Sequence, residues 1–264
     1  MNDLKLRFTY IGGPTALIEL GGLRFLTDPT FDPPGEYRTS LYVLRKTRGP
    51  AIGHDAIGSL DAVLLSHDQH LDNLDTMGRA SLDHSARVLT TPAAAKRLGD
   101  RAIGLSPWQT IGIPARDGGN SRVLQITGTP ARHGPVHADR GPVTGFVLAF
   151  ADAPEYAVYI SGDTVWHEGL VEVSRRFSIR VAVLFMGAAR VTEVGPWHLT
   201  LTAAEGVKAA HAFSRATTII PLHFEGWAHY SESRDDIEQA FTAAGLEHRL
   251  KWMEPGRPTD LCIH

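Results

Sequence analysis

Residues 64–75 read Leu64-Leu65-Ser66-His67-Asp68-Gln69-His70-Leu71-Asp72-Asn73-Leu74-Asp75. The stretch begins inside an apolar run, Ala62 to Leu65, which has the pattern of a buried strand. It then turns at once into imidazole, carboxylate and amide groups. Core packing gives no reason to gather such groups at a strand end. A divalent metal does, because imidazole nitrogen and carboxylate oxygen bind it together. A polar loop with two solvent-facing histidines is the competing reading, and the rest of the chain decides between them.

Working outward, residues 5–11 set Leu6, Phe8 and Tyr10 against Lys5, Arg7 and Thr9, the period of a strand with one buried face. Residues 16–20 and 23–26 predict two strands joined through Gly21-Gly22, and Thr27-Asp28-Pro29 ends the second. Residues 31–55 are rich in Pro, Gly, Arg and Tyr, and are expected to form a long surface segment serving as a lid. Beyond the opening motif, Thr91, Pro92 and Gly99 mark the start and stop of a short helix. Strands are expected at 123–127, 143–150, 156–160, 181–185 and 217–220. Helices are expected at 167–177, 202–213 and 234–244, the second opened by the capping-box pair Thr202 and Glu205.

Four of these strands end in a histidine or aspartate beside a Gly or Pro turn. The first supplies His67, His70 and Asp72; the others supply His133, Asp163 and His223. In a layered α/β fold such ends converge on one rim, where ligands bind. Each residue alone has an ordinary structural reading: a surface loop for His133, a helix cap for Asp163, a core histidine for His223. One shared cause, a metal site, accounts for all of them.

The order of these motifs resembles the metallo-β-lactamase superfamily, and within it the branch containing ascorbate-phosphate lactonase and N-acyl-phosphatidylethanolamine phospholipase D. The likeness runs through T-A-L-I-E-L-G-G-L-R-F-L-T-D-P at 15–29, the 66–75 motif, P-A-R-H at 130–133, S-G-D-T at 161–164 and P-L-H-F at 221–224. It implies an α/β fold, a four-layer αβ/βα sandwich of two facing mixed sheets with helices outside, as one domain over 1–264. It also implies one or two divalent ions at the rim, with zinc foremost and manganese, iron or magnesium as alternatives. By resemblance the metal ligands are His67, His70, Asp72, His133, Asp163 and His223, with His133 completing the first site, Asp163 bridging and His223 in the second.

The departure lies in the central motif, which in the family usually reads H-x-H-x-D-H. Here Gln69 stands two residues after His67, His70 and Asp72 keep the family spacing, and Asn73 replaces the last histidine. Asp68 is a further candidate ligand. An amide oxygen binds zinc less well than imidazole does but suits manganese or magnesium. The second site is therefore expected to be weakened, mononuclear by default or adapted to a harder metal. Asp28 and Asn73 are candidates to support the ligands from behind.

The implied chemistry is metal-assisted hydrolysis of a small ester, lactone or phosphoester. Asp72 or Asp163 would orient or deprotonate water, and His198 would protonate the leaving group or bind the developing oxyanion. Arg132, Arg190 and His229 are candidate substrate contacts. His167 is expected at a helix start, and His54, His84, His137, His211, His248 and His264 at the surface. The alternative is a catalytically degenerate relative that binds a metal or a metabolite.

The net charge of −3 gives no general attraction to nucleic acid or anionic membrane. A lone cysteine, Cys262, excludes internal disulfides and cysteine zinc knuckles and fits a reducing compartment. No apolar run approaches the roughly 18 residues a membrane helix needs, and the N-terminus has no signal pattern. The expectation is a cytoplasmic protein acting on a small molecule, with neither nucleic acid nor membrane as partner and with homo-oligomers left open.

Overall fold

The computed structural model describes residues 4–117, 120–214 and 217–263; His264 lies outside them. The strands are β1 (Leu4–Gly12), β2 (Thr15–Leu20), β3 (Leu23–Thr27), β4 (Gly35–Arg38), β5 (Val43–Lys46), β6 (Ala62–Leu64), β7 (Val88–Thr90) and β8 (Ala102–Gly104). They continue with β9 (Thr110–Asp117), β10 (Asn120–Pro130), β11 (Thr144–Phe150), β12 (Ala153–Ile160), β13 (Ile179–Phe185), β14 (Thr218–Leu222) and β15 (Thr259–Ile263). The α-helices are α1 (Thr76–Ser81), α2 (Pro92–Leu98), α3 (Glu168–Arg176), α4 (Ala203–Ala212) and α5 (Arg234–Ala243).

One sheet has the order β15-β1-β2-β3-β6-β7-β8 and the other β14-β13-β12-β11-β10-β9. Side-chain alternation explains why they stack. In β13, Val181, Val183 and Phe185 face the core between the sheets, while Ala182 and Leu184 face the helices on the other side. Leu64 of β6 faces the same inter-sheet core, and Val63 packs outward with Leu74 and Leu82. Leu170, Ala209 and Phe241 from α3, α4 and α5 cover the outer face of the second sheet. Both faces of β6 and β13 are covered, which is why they read as continuous apolar runs.

Direction along the sheets makes the rim. β3 pairs parallel with β6, and β13 pairs parallel with both β12 and β14. β10 pairs antiparallel with β11, which pairs antiparallel with β12, so β10 runs the same way as β12. The residues that follow β10, β12 and β14 therefore leave the second sheet at one edge.

Residues 31–55 lie largely at the surface, as expected, but they carry regular structure and buried anchors. β4 and β5 form a hairpin in which Gly35 pairs with Lys46, and Phe31, Asp32, Leu44 and Lys46 are buried. The Lys46 ammonium lies 3.0 Å from the Asp75 carboxylate, both fully enclosed. The hairpin strands are four residues long and mostly exposed on alternate positions, too short to show a period against the surrounding Pro and Gly.

Candidate metal centre

The central loop is held from behind before it offers any donor. Asp28 follows β3 with φ of 24°, and its Oδ1 accepts from the Ser66 amide at 2.6 Å. Ser66 Oγ in turn lies 2.9 Å from His67 Nδ1, which turns His67 Nε2 outward. The sequence placed Asp28 behind an imidazole; the structure has it grip the backbone next to that imidazole. Burial, and then the Asp163 charge, push the Asp28 carboxyl well above its ordinary range.

His67 Nε2 stands 2.8 Å from His70 Nδ1, and His133 Nε2 stands 3.1 Å from the same atom. His133 Nδ1 lies 2.8 Å from the Leu199 carbonyl, an acceptor only, so Nδ1 carries the proton and Nε2 keeps its lone pair. A second group forms beside the first. Asp72 Oδ2 is 3.0 Å from His229 Nε2 and 3.5 Å from His223 Nε2. Asp163 lies between the two groups, with Oδ2 3.5 Å from His133 Nε2 and Oδ1 3.0 Å from His223 Nδ1. Within each of the triads His67/His70/His133 and Asp72/His223/His229 the donor atoms lie within 4.8 Å of one another. Ligands about 2.1 Å from a tetrahedral ion are about 3.4 Å apart, so both triads have a metal's spacing.

Gly162 lets the two sheets meet here. Its φ is 59°, and a Cβ on it would stand 2.7 Å from Ser66 Cβ and 2.6 Å from the Thr144 carbonyl oxygen. The turn that carries Asp163 thus packs directly on the turn that carries His67. His223 also has a positive φ, 55°, and donates its amide to the Gly13 carbonyl at 2.9 Å.

The chemistry of the donors fits a divalent cation. Both nitrogens of His223, Asp163 Oδ1 and His229 Nδ1 are buried without a hydrogen-bond partner among the described residues. Burial, and then His70, hold His67 well below the ordinary imidazole range; burial, and then His133, hold His70 down at about 4. Both rings are neutral at pH 7, the state in which imidazole binds metal. Burial opposes ionisation of Asp72 and Asp163, but His223 outweighs it, with His229 also acting on Asp72 and His133 on Asp163, and both carboxyls fall below the usual range. Burial likewise opposes a charge on His223, and the two carboxylates overcome it, pushing His223 up to about 10.

The remaining candidates are placed as follows. Asp68 is turned away from the donors and paired with Arg97, whose Nε lies 2.8 Å from Oδ2. Gln69 donates to the Pro142 carbonyl at 3.1 Å. Asn73 is fully buried, with both amide atoms unpaired among the described residues. The Arg132 guanidinium turns to the Trp166 carbonyl, 3.4 Å away, and not to the donors. Arg190 donates its amide to the His229 carbonyl at 2.8 Å and sets its guanidinium 3.4 Å from the His198 ring. His167 caps α3, accepting from the Gly169 amide. His54 is half-buried; His84, His137, His211 and His248 are exposed.

His229 was read from sequence as a substrate contact, whereas the structure sets it among the donors. Its one sequence signal is position: a second histidine six residues after a strand-end histidine, in Trp227-Ala228-His229-Tyr230.

A family profile described as a Beta-lactamase superfamily domain matches residues 23–224. A UPF0173 metal-dependent hydrolase of Pyrobaculum aerophilum is 24% identical over 255 residues, covering 95% of this chain and 98% of that protein. The UPF0173 protein YddR of Bacillus subtilis is 22% identical over 261 residues, with the same coverage. Among solved structures, an isothiocyanate hydrolase from Delia radicum gut bacteria aligns with a TM-score of 0.78 at 20% identity, covering 98% of this chain and all of that one. A possible metal-dependent hydrolase from Veillonella parvula aligns equally well, at 22% identity, covering 97% of this chain and 99% of that one. With two facing sheets, donors at their common rim and a profile match across most of its length, the chain belongs to the β-lactamase superfamily.

Proposed function

We propose that this protein is a metal-dependent hydrolase acting on a small ester, lactone or phosphoester. The observation that carries the reading is the donor arrangement: two triads of nitrogen and oxygen atoms with Asp163 between them, on a shared rim. His67, His70 and His133 would hold one ion and Asp72, His223 and His229 the other, with Asp163 facing both. When bound, such ions polarise a carbonyl or phosphoryl oxygen and make water nucleophilic at neutral pH. Zinc fits the imidazole-rich first triad, and the second, with its carboxylate, also admits manganese or iron.

The chain's own groups supply the rest. The Asp72 and Asp163 carboxylates are ionised at neutral pH, so each can accept a proton from attacking water or fix its orientation. His198 is half-buried one residue from Leu199, whose carbonyl holds His133, and it faces the Arg190 guanidinium. A group so placed is the candidate to give a proton to the leaving group. The named relatives support hydrolysis as the reaction class. A degenerate, purely binding relative is less well supported, because Asn73 does not leave the second triad short of a donor. Among the described residues no helix is long and apolar enough to cross a membrane. A cytoplasmic location and a small-molecule substrate remain part of this proposal.

The test is to load the protein with zinc, manganese or iron, measure bound metal, and assay ester, lactone and phosphodiester panels against Asp163→Ala. Two ions per chain and turnover that disappears in the variant are expected. Turnover unaffected by Asp163→Ala would refute the enzyme.

A further inference from the structure

A cleft of about 540 Å³ opens beside the metal centre, between the tip of the β4–β5 hairpin, the loop that follows His133 and the loop that follows β13. Its walls divide by chemistry. Leu41, Val194 and Trp197 supply apolar surface, and Leu41 is 70% exposed and Trp197 38%. The His137 ring stands edge-on to Trp197, with centroids 4.4 Å apart. Large apolar side chains left open to water in this way fit a ligand's apolar body.

Arg140 and Tyr42 line the same cleft. The Arg140 amide donates to the His133 carbonyl at 2.9 Å, so its backbone is tied to a donor residue. Its guanidinium is near enough to His70 to disfavour a charge there. Tyr42 is fixed by the hairpin tip: its amide donates to Thr39 Oγ1 at 3.0 Å, and its carbonyl accepts from that hydroxyl at 2.8 Å. Its phenol faces Arg140 and feels the Asp72 charge. Although Asp139 and Glu193 also line the cleft, Arg140 forms no ion pair with either. Asp139 turns inward to its own loop, accepting from the Gly141 amide at 3.1 Å. A half-buried guanidinium left, among the described residues, without a carboxylate and beside a phenol hydroxyl is a receptor for an anion.

We infer that Arg140 and Tyr42 form a recognition site for a carboxylate carried by the substrate, whose apolar part lies against Trp197 and Leu41 and whose scissile bond reaches the metal centre. This deepens the hydrolase reading and rests on it for the reaction, though not for binding. The two acidic side chains on the same cleft disfavour a doubly charged group, which selects a carboxylate over a phosphate monoester.

The test uses the full-length, metal-loaded protein with mono(4-nitrophenyl) glutarate and its neutral counterpart, 4-nitrophenyl butyrate. The ratio of the two kcat/KM values is expected to fall roughly 10- to 100-fold in Arg140→Gln, less in Arg140→Lys, and by a smaller factor in Tyr42→Phe. Bound metal per chain is measured in each variant, so that loss of the centre is not mistaken for loss of recognition. An unchanged ratio in Arg140→Gln overturns the inference. If the wild type turns over neither ester, the hydrolase reading fails for esters and the site is decided by titrating phenylacetate against phenylacetamide. Phenylacetate binding that weakens at least about tenfold in Arg140→Gln supports the site. Binding that is absent, or equal in wild type and variant, overturns it.

Discussion

His229 Nε2 lies 3.0 Å from Asp72 Oδ2, and the two share that corner of the centre with His223. The superfamily resemblance led to a histidine directly after Asp72, where this chain has Asn73. The structure supplies the imidazole from a different loop, 156 positions further along the chain. If His229 is a ligand, His229→Ala lowers bound metal from two ions per chain to one after dialysis, whereas Asn73→Ala keeps two. Elemental analysis of both variants checks this, and two tightly held ions in His229→Ala would remove His229 from the centre.

Metal uptake is expected to release protons. In the metal-free protein His223 is raised to about 10, so its ring is charged at neutral pH. A ligating imidazole must be neutral, so filling the second triad displaces that proton. Affinity at this site should rise about tenfold per pH unit through the neutral range and level off above about 10. Calorimetry in buffers of different ionisation enthalpy should show close to one proton released on its account at pH 7.5.

The metal-free fold should weaken in mild acid. His70 and His167 are both held at about 4, by burial first and then by the neighbouring His133 ring and Arg132 guanidinium respectively, and His67 is also lowered. Between about 4 and the ordinary value near 6.5 the unfolded chain binds protons that the folded chain refuses. Stability therefore rises with pH across that window and falls as pH drops through it. Urea midpoints at pH 7 and pH 5 check the direction. His167→Asn keeps a side-chain acceptor at the start of α3 while removing one titrating ring, and should shrink the difference.

The Lys46–Asp75 pair should matter more to stability than a surface ion pair does. Asp75 also accepts from the amides of Phe31, Asp32 and Gly78, so it joins the hairpin arm, the loop after β3 and the start of α1. Asp75→Ala leaves an enclosed ammonium and three amides without their acceptor, at an expected cost of about 3–5 kcal/mol. Arg7→Ala, which breaks an exposed pair with Asp260, should leave stability almost unchanged. Chemical denaturation of both variants tests the contrast.

Much of the centre was legible because its ligands follow strands that read as apolar or alternating runs. His133, Asp163 and His223 each come just after a run of buried apolar residues that alternates or stays apolar throughout, and a strand end in such a fold is a predictable place. His229 was not legible as a donor, since it follows an isolated bridge between Trp227 and Lys46 and has no periodic element before it. Tyr42 and Arg140 were hidden for the same reason, one at the tip of a hairpin with four-residue strands and the other in a loop. β7 and β8, three residues each, are too short to show a period, and Gly112 and Pro114 break the pattern of β9. β9 tolerates Pro114 because it is an edge strand.

The contact between Gly162 and Ser66 has a mechanical side. His67, His70 and Asp72 hang from the first sheet, and His133, Asp163 and His223 from the second. The core between the sheets is apolar, and apolar attraction has no direction of its own. Coordination does have direction, so ions seated across this rim would act as rivets that fix how far one layer can slide over the other.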